Sequence, residues 1–309
     1  MMRSTREGFG QAICEAAKKD PQLVVLSADL SGSLQLQQFK KEFPKRYVEV
    51  GISEQNMASI AAGMAMTGLH PVITSFAAFN PGRNWEQIRV SICEQKLNVK
   101  IVGSHAGLSA SSDGGTHQAV EDVALTTVLP GMTVVEPADF NEAVEATRAL
   151  LASPGPGYLR LARVPVPTLP DLAESFQLGR GRVLHSGDDA TFIACGTSVH
   201  QALLAREQLQ TQGIDVGVVD LPTLKPLDEP LLLSLAQKNH PLIIVHEHQI
   251  TGGLGSLVAT FLSQAHPARL TLIGVADRFG QSGSYQQLLH EYGLDADHLV
   301  DVVTKACQN

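Results

Sequence analysis

The most constraining feature of the sequence is a repeated alternation between short apolar segments and amphipathic segments. Apolar runs of strand length without polar interruption are buried on both faces, which is typical of a parallel sheet covered by helices. In the first half, the pattern predicts strands at 23–26, 71–75, 99–102, 132–135 and 158–161, and helices at 6–19, 55–67, 83–95, 118–128 and 141–152.

A cluster of prolines interrupts this pattern at about the middle of the chain. Prolines at this density favour an extended connector over a helix. The alternation then resumes, with predicted strands at 190–195, 215–220, 241–246 and 270–275 and helices at 198–212, 228–239, 253–265 and 284–307. We therefore predict two parallel-sheet α/β domains, at residues 1–170 and 186–309, joined by a connector at 171–185.

Composition excludes several classes of protein. The 309-residue chain has a formal net charge of −8 and no basic block, which argues against nucleic-acid binding. Its four cysteines form no CxxC pair and are expected to be reduced thiols. No apolar signal core and no run of about 18 apolar residues is present, so we expect a cytoplasmic protein that does not bind membranes.

Glu54 stands in EVGISEQNM, where an apolar run ends and a helix rich in small residues begins. At the start of a helix, with Ser53 as N-cap, the carboxylate is favoured by the helix dipole. The same carboxylate could also point into an apolar cleft, where it would require a partner. The local pattern leaves both interpretations open.

Two other segments combine strand ends with functional groups. Phe76 and Phe79, in SFAAF, could be core residues or a flat wall for a planar ring, because ligands bind at strand ends in open parallel sheets. The segment GSHAGLSASSDGGTHQ (103–118) contains His105, Asp113 and His117, which can exchange protons near neutral pH. A loop with incidental histidines is the alternative, and the wide spacing argues against a metal site.

Arg160 and Arg163, in YLRLAR, lie at the end of a predicted strand. An arginine there requires an anion, which could be a protein carboxylate or a phosphate. Ser33, after the first strand, could offer a hydroxyl to the same anion. The sequence contains no P-loop and no GxGxxG after its first strand, so no nucleotide fingerprint is present.

Taken in order, these segments resemble the thiamine-diphosphate-dependent transketolase family. The matching segments are SADLSGS (27–33), EVGISEQNM (49–57), SFAAF (75–79), GSHAGLSASSDGGTHQ (103–118), YLRLAR (158–163), EHQITGGLGS (247–256) and DRFGQSG (277–283). A full transketolase has an additional N-terminal domain with a GDG…N motif for magnesium and the diphosphate, which this sequence lacks. The chain is therefore similar to the C-terminal subunit of a split transketolase, with pyrimidine-binding and C-terminal domains.

The resemblance implies transfer of a two-carbon ketol unit from a ketose phosphate to an aldose phosphate. It implies an enzyme that is active only with an N-terminal partner subunit, as an α2β2 assembly. That partner would supply the Mg²⁺ ligands, and no metal ligand is expected here. Glu54 would hydrogen-bond a ring nitrogen of the aminopyrimidine, and His117 would assist proton transfer. The implied cofactor-binding residues are Glu54, Ile52, Phe76, Phe79 and Asp29, and the implied substrate-binding residues are Ser33, His105, Asp113, Arg160 and Arg163.

Departures from the family pattern keep alternatives open. Gly115 stands where proline is common, and Gly82 and Arg83 stand where long-chain members have an aromatic and a small residue. The alternatives are a β subunit of a 2-oxoacid dehydrogenase, a deoxyxylulose-phosphate synthase-like enzyme and a non-catalytic α/β assembly module. If Glu54 awaits a cofactor, it should lack a protein partner, and pairing with a lysine or arginine would count against this interpretation.

Overall fold

The structure is a computed structural model that describes residues 2–169 and 176–308. Its strands are β1 (Met2–Arg3), β2 (Leu23–Ser27), β3 (Tyr47–Glu49), β4 (His70–Phe76), β5 (Lys100–Ser104), β6 (Thr133–Val135), β7 (Gly157–Arg160), β8 (Val166–Pro167), β9 (Arg182–His185), β10 (Ala190–Ala194), β11 (Val216–Asp220), β12 (Thr223–Lys225), β13 (Leu242–Gln249) and β14 (Leu270–Val275).

Helices cover both sheets. They are α1 (Thr5–Lys19), α2 (Gln37–Glu42), α3 (Glu54–Met66), α4 (Trp85–Gln87), α5 (Asp122–Thr127), α6 (Phe140–Ala152), α7 (Ser198–Thr211), α8 (Glu229–Ala236), α9 (Leu254–Ala265), α10 (Tyr285–Glu291) and α11 (Ala296–Gln308). Short 3-10 turns span Pro44–Arg46 and Leu108–Asp113, and α4 continues into a π-helical segment at Ile88–Cys93. Within the described ranges, no helix is both long and apolar enough to cross a bilayer.

The first sheet has seven strands in the order β12-β6-β7-β5-β4-β2-β3. The strands from β2 to β7 pair in parallel, and β2 and β5 are buried along their whole length. The first strand in this order, β12, comes from the second half of the chain and pairs antiparallel with β6 at the sheet edge. The parallel arrangement brings the carboxyl ends of β2, β4, β5 and β7 to one edge.

The second sheet has five strands in the order β14-β13-β10-β11-β9. Four of them are parallel, and β9 pairs antiparallel with β11 at the edge. The prediction of a two-domain parallel-sheet α/β fold is confirmed. Residue 170 and residues 171–175 of the predicted connector lie outside the described residues, and residues 182–185 at the connector's end form β9.

The predicted elements differ from the structure in three places. The helix predicted at 83–95 is a short α-helical turn followed by the π-helical segment, and the helix predicted at 118–128 begins at Asp122. The helix predicted at 284–307 is two helices, because Gly293 adopts a φ of +66° between them. A left-handed glycine is a common way to end a helix.

Two buried carboxyl groups, those of Glu142 and Asp220, lie close together between the two domains. Glu142 of α6 pairs with Arg182 of β9 at 2.8 Å and lies near Asp220 of β11, which has no exposed surface. Burial and the charge of Glu142 raise the pKa of the Asp220 carboxyl well above its ordinary value. The folded chain therefore binds a proton that the unfolded chain releases.

We expect Asp220→Asn to stabilise the chain increasingly as the pH rises. The stability contributed by protonated Asp220 is complete below the ordinary aspartate pKa of 3.8 and is lost as the pH rises towards the higher pKa of the folded state. Urea unfolding from pH 4 to pH 9 should show a difference between variant and wild type that widens with pH. The matched control is Asp301→Asn at an exposed position. A difference independent of pH would contradict this account.

Candidate functional site

The candidate site lies at the carboxyl edge of the first sheet, where Glu54 begins α3 just after β3. Ser53 occupies the N-cap position but does not cap the helix through its side chain, since its hydroxyl donates to the Val50 carbonyl at 2.7 Å. Glu54 is 1% exposed, and the Ser75 hydroxyl donates to its Oε1 at 3.5 Å. The carboxylate thus enters a buried cleft and also occupies a helix start, so both interpretations of Glu54 hold together.

Glu54 has a protein partner. Arg83 donates from Nη1 to Oε2 of Glu54 at 2.7 Å, and its guanidinium lies 4.4 Å from the centre of the Phe79 ring. The expectation that Glu54 would lack a partner is therefore wrong. The reason is local: the Asn84 amide donates to the Glu54 carbonyl at 3.2 Å, which ties the turn carrying Arg83 to the start of α3.

The predicted aromatic wall is assembled with the two histidines of the 103–118 loop. The rings of Phe76 and Phe79 are stacked with centres 6.2 Å apart. His105 lies 3.9 Å from the Phe76 ring, and His117 meets the Phe79 ring edge-on at 5.4 Å. Four of the predicted residues thus line one cleft, and Arg83 joins them to Glu54.

His105 is held in its neutral form. Its Nδ1 lies 2.8 Å from the Ser104 hydroxyl, and burial together with the charges of Arg6, Arg163 and His117 lowers its pKa to about 3. A neutral imidazole can exchange hydrogen bonds but carries no charge at neutral pH. The positive charge at this end of the cleft therefore comes from the arginines.

Arg163 and Asp113 lie together at the mouth of the cleft. Arg163 donates from Nη1 to Asp113 at 3.2 Å and to the Ala110 carbonyl at 3.2 Å, and both charged side chains are more than a third exposed. A partly exposed pair of this kind is held weakly. Arg163 can therefore exchange Asp113 for an anion that it binds more tightly.

Arg6 belongs to the same cluster and was missed by the sequence analysis. It lies in the first turn of α1, donates to the Ser33 carbonyl at 2.8 Å, and its pKa is lowered by burial and by the charge of Arg163. Arginine is disfavoured near a helix N-terminus because the dipole is positive there. That placement is the sequence feature by which Arg6 could have been singled out.

Arg160 does not line the cleft, and its prediction as a substrate-binding residue is wrong. It is 2% exposed and binds Asp122 through Nε at 2.8 Å and Glu136 through Nη1 at 2.6 Å. Its Nη2 donates to Asp122 and to the carbonyls of Ala119 and Glu247. The protein-carboxylate alternative is the correct one for this residue, because no donor group of Arg160 lacks a protein acceptor.

Asp29 and Ile52 lie on exposed turns at the same edge. Asp29 follows β2 with a φ of +58°, and its backbone N–H donates to Glu49 at 2.7 Å. Ile52 lies two residues before Glu54 and is 74% exposed. Their predicted contact with a cofactor stays a prediction.

The second domain holds the histidine loop in place. Gln118 donates to the Gln281 carbonyl at 2.9 Å, and a Cβ on Gly115 would lie 2.5 Å from the Gly280 carbonyl oxygen. The Glu247 carboxylate accepts from the Leu108 backbone N–H at 2.5 Å. The glycine at 115 is therefore explained by the close approach of the 277–283 segment.

The side chains around Glu54 have the chemistry of one half of a thiamine cofactor site, and Arg83 lies among them. A buried carboxylate beside two aromatic rings suits the aminopyrimidine, which presents a flat face and a ring nitrogen. Among residues 2–169 and 176–308, the one group of three possible metal ligands is Glu136, Cys195 and His246. Glu136 is already bound by Arg160 and by His246 at 2.9 Å, so this buried cluster does not suit a magnesium diphosphate.

Two family models match this chain. Residues 1–167 match the model described as the transketolase pyrimidine binding domain, and residues 179–299 match the transketolase C-terminal domain.

Similar proteins cover nearly the full chain. A putative transketolase C-terminal section from Methanocaldococcus jannaschii is 40% identical over 301 residues, covering 96% of this chain and 94% of the relative. A 6-deoxy-6-sulfo-D-fructose transketolase subunit from Clostridium sp. (strain MSTE9) is 38% identical, covering 96% of this chain and 92% of the relative. A solved structure described as a split gene transketolase, inactive beta4 tetramer, is 41% identical with a TM-score of 0.89, and covers 99% of this chain and 98% of that chain.

Proposed function

The chain belongs to the transketolase family, and on that basis we propose that it is the C-terminal subunit of a split transketolase. With a partner chain and thiamine diphosphate, it transfers a two-carbon ketol unit from a ketose phosphate to an aldose phosphate. One observation supports this proposal above the others. Buried Glu54, the two stacked phenylalanines and His117 lie together at the carboxyl edge of the first sheet, with Arg6 and Arg163 nearby.

Glu54, Phe76 and Phe79 are the residues that would hold the pyrimidine half of the cofactor, with Asp29 and Ile52 at the rim. When bound, thiamine diphosphate supplies a carbon nucleophile and an electron sink for breaking a carbon–carbon bond beside a carbonyl. Glu54 would share a proton with the ring nitrogen, and the buried cleft excludes water from that hydrogen bond. The phenylalanine rings orient the pyrimidine by stacking.

His117 and Asp113 would act on the sugar. His117 lies edge-on to Phe79, where it can exchange a proton with a hydroxyl of the bound donor. Asp113 would accept a hydrogen bond from a second hydroxyl once Arg163 is engaged elsewhere. Neutral His105 would add a hydrogen bond without adding charge.

The anionic end of the donor would bind Arg163 and Arg6, with Ser33 beside them. Two guanidinium groups can hold a phosphate through paired charge-assisted hydrogen bonds. The 38% identical relative is named for a sugar that ends in a sulfonate, which is also a tetrahedral oxyanion. We therefore test donors that end in a phosphate and donors that end in a sulfonate.

The partner would be a separate N-terminal subunit that supplies the diphosphate and Mg²⁺ ligands, in an α2β2 assembly. The family matches cover the pyrimidine-binding and C-terminal domains, and similar proteins are named as a subunit or a C-terminal section. Exposed Ile52 beside buried Glu54 is consistent with a cofactor held between two chains.

The test is reconstitution of the chain with its N-terminal partner, thiamine diphosphate and Mg²⁺. The donors to assay are xylulose 5-phosphate, fructose 6-phosphate and 6-deoxy-6-sulfofructose, each with an aldose phosphate acceptor. Ketol transfer that requires both chains supports the proposal. Turnover confined to pyruvate with glyceraldehyde 3-phosphate, or to a 2-oxo acid with lipoamide, would instead assign one of the other thiamine enzymes. No turnover of any donor would contradict an enzymatic role.

We expect Arg163→Met to raise the KM for the phosphorylated donor about 10–100-fold, because one charge-assisted hydrogen bond contributes roughly 1.5–3 kcal/mol. The kcat should change much less, since the phosphate is remote from the reacting carbonyl. Initial rates at varied donor concentration check this. Arg180→Met, a largely exposed arginine near Asp228, is the control. An unchanged KM would place the phosphate elsewhere.

A further inference from the structure

Arg83 occupies both surfaces that the pyrimidine ring would need. Its guanidinium lies over the Phe79 ring at 4.4 Å from the centre, and its Nη1 lies 2.7 Å from Glu54 Oε2. The pyrimidine would stack on the same aromatic face and bind the same carboxylate. The two occupants therefore compete for one place.

The turn that carries Arg83 is built for this position. A Cβ on Gly82 would lie 2.2 Å from the Ala78 carbonyl oxygen, so only glycine lets the chain close tightly there. The backbone N–H of Arg83 then donates to the Phe79 carbonyl at 3.2 Å, which sets the arginine above the ring. Gly82 and Arg83 thus act as one structural unit, and both depart from the long-chain pattern.

The ion pair is asymmetric, because only one of its two members is exposed to solvent. Glu54 is 1% exposed, whereas the Arg83 side chain is 45% exposed. Among the described residues, the Arg83 guanidinium has one ion pair, with Glu54, in contrast to the fully engaged Arg160. Moving Arg83 into solvent leaves no buried cation, and the carboxylate is then free for another partner.

A bound arginine also opposes the proposed chemistry of Glu54. The Arg83 Nη1 group already donates to Glu54 Oε2 at 2.7 Å, so this oxygen is not free for a proton shared with a ring nitrogen. A Glu54 that acts on the cofactor therefore requires Arg83 to be elsewhere.

We propose that Arg83 is a latch on the pyrimidine site. In the cofactor-free chain it neutralises Glu54 and covers Phe79, and binding of thiamine diphosphate exchanges its guanidinium for the pyrimidine ring. This inference rests on the proposed function. The latch prevents an unpaired buried carboxylate in the free subunit and lowers the apparent affinity for the cofactor, because only unlatched molecules bind it.

The test is calorimetric titration of thiamine diphosphate, with Mg²⁺, into the cofactor-free complex of this chain and its partner. Arg83→Met removes the charge and retains length, and we expect it to bind the cofactor about tenfold more tightly, which corresponds to a latched-to-open ratio near ten. Arg83→Lys, which keeps the charge but not the planar group, should lie between Met and wild type. Arg89→Met is the matched control, since Arg89 is 48% exposed and pairs with Glu94 at the surface.

The outcomes separate the latch from the proposed function. Equal affinity of wild type and Arg83→Met, or weaker binding by the variant, would overturn the latch while cofactor binding itself still stands. Binding by neither complex would overturn both the latch and the proposed function. Independently of the cofactor, thermal unfolding of Glu54→Gln, Arg83→Met and the double variant should give non-additive shifts in Tm, and additive shifts would show that the pair is not formed.

Discussion

Glu54→Gln should lower the kcat of the reconstituted enzyme by about 10²–10⁴-fold, the range expected when one acid–base group is removed. Glutamine keeps the size of the side chain and can still accept a hydrogen bond in this 1% exposed position. It cannot take up a proton from a ring nitrogen or hold a negative charge beside it. The loss should therefore appear in turnover and much less in folding.

Three measurements distinguish this chemical role from a structural one. Cofactor affinity should change less than turnover, and the complex with the partner should remain assembled. Glu94→Gln, an exposed glutamate paired with Arg89, is the matched control and should leave kcat unchanged. Retention of more than half of the wild-type kcat by Glu54→Gln would show that Glu54 has no part in proton transfer.

The fold was predictable because the alternation of short apolar segments and amphipathic segments indicates a parallel sheet covered by helices. Strands buried on both faces, such as β2, β5 and β10, each contain a short apolar run in the sequence: LVVL, IVG and FIA. The strands that were missed are short or lie at sheet edges, such as β9 and β12. No residue of β9 is buried and β12 has only three residues, so neither strand has an apolar pattern long enough to identify it.

Part of the site was predictable from the sequence. Charged, aromatic and histidine side chains follow the predicted strands, and the family resemblance assigns roles to them. What the sequence could not provide was the pairing of charges. Arg160 and Arg163 are three residues apart, yet one is 2% exposed and the other 39% exposed at its side chain. Glu54 and Arg83 are 29 residues apart, and their contact depends on a turn whose geometry no local pattern describes.

The largest effect on stability is expected at Arg160, which joins carboxylates from two elements at the domain boundary. Asp122 of α5 and Glu136 after β6 are both almost fully buried and both bind this guanidinium. Removing one partner of a buried pair leaves an uncompensated charge, which costs about 3–5 kcal/mol. Arg160→Met, which leaves two such carboxylates, should therefore destabilise the chain by at least that much.

The pH dependence identifies the cause of this loss. Burial alone would raise the pKa of Glu136, but Arg160 and His246 outweigh it and lower the pKa to about 2. A lowered carboxyl pKa stabilises the fold above the ordinary value of 4.5, and that stability is lost as the pH falls towards 2. The deficit of Arg160→Met relative to wild type should thus be greatest above pH 5 and should shrink as the medium becomes more acidic.

Urea unfolding at pH 7 and pH 4 measures both parts of the Arg160→Met prediction. Arg148→Met is the matched control, because Arg148 forms a surface ion pair with Glu15 and both side chains are more than a third exposed. Such a pair contributes at most about 1 kcal/mol, so this variant should unfold close to wild type at both pH values. A similarly small effect for Arg160→Met would mean that the carboxylates find other partners. The buried ion-pair network of Arg160 would then contribute little to the stability of the chain.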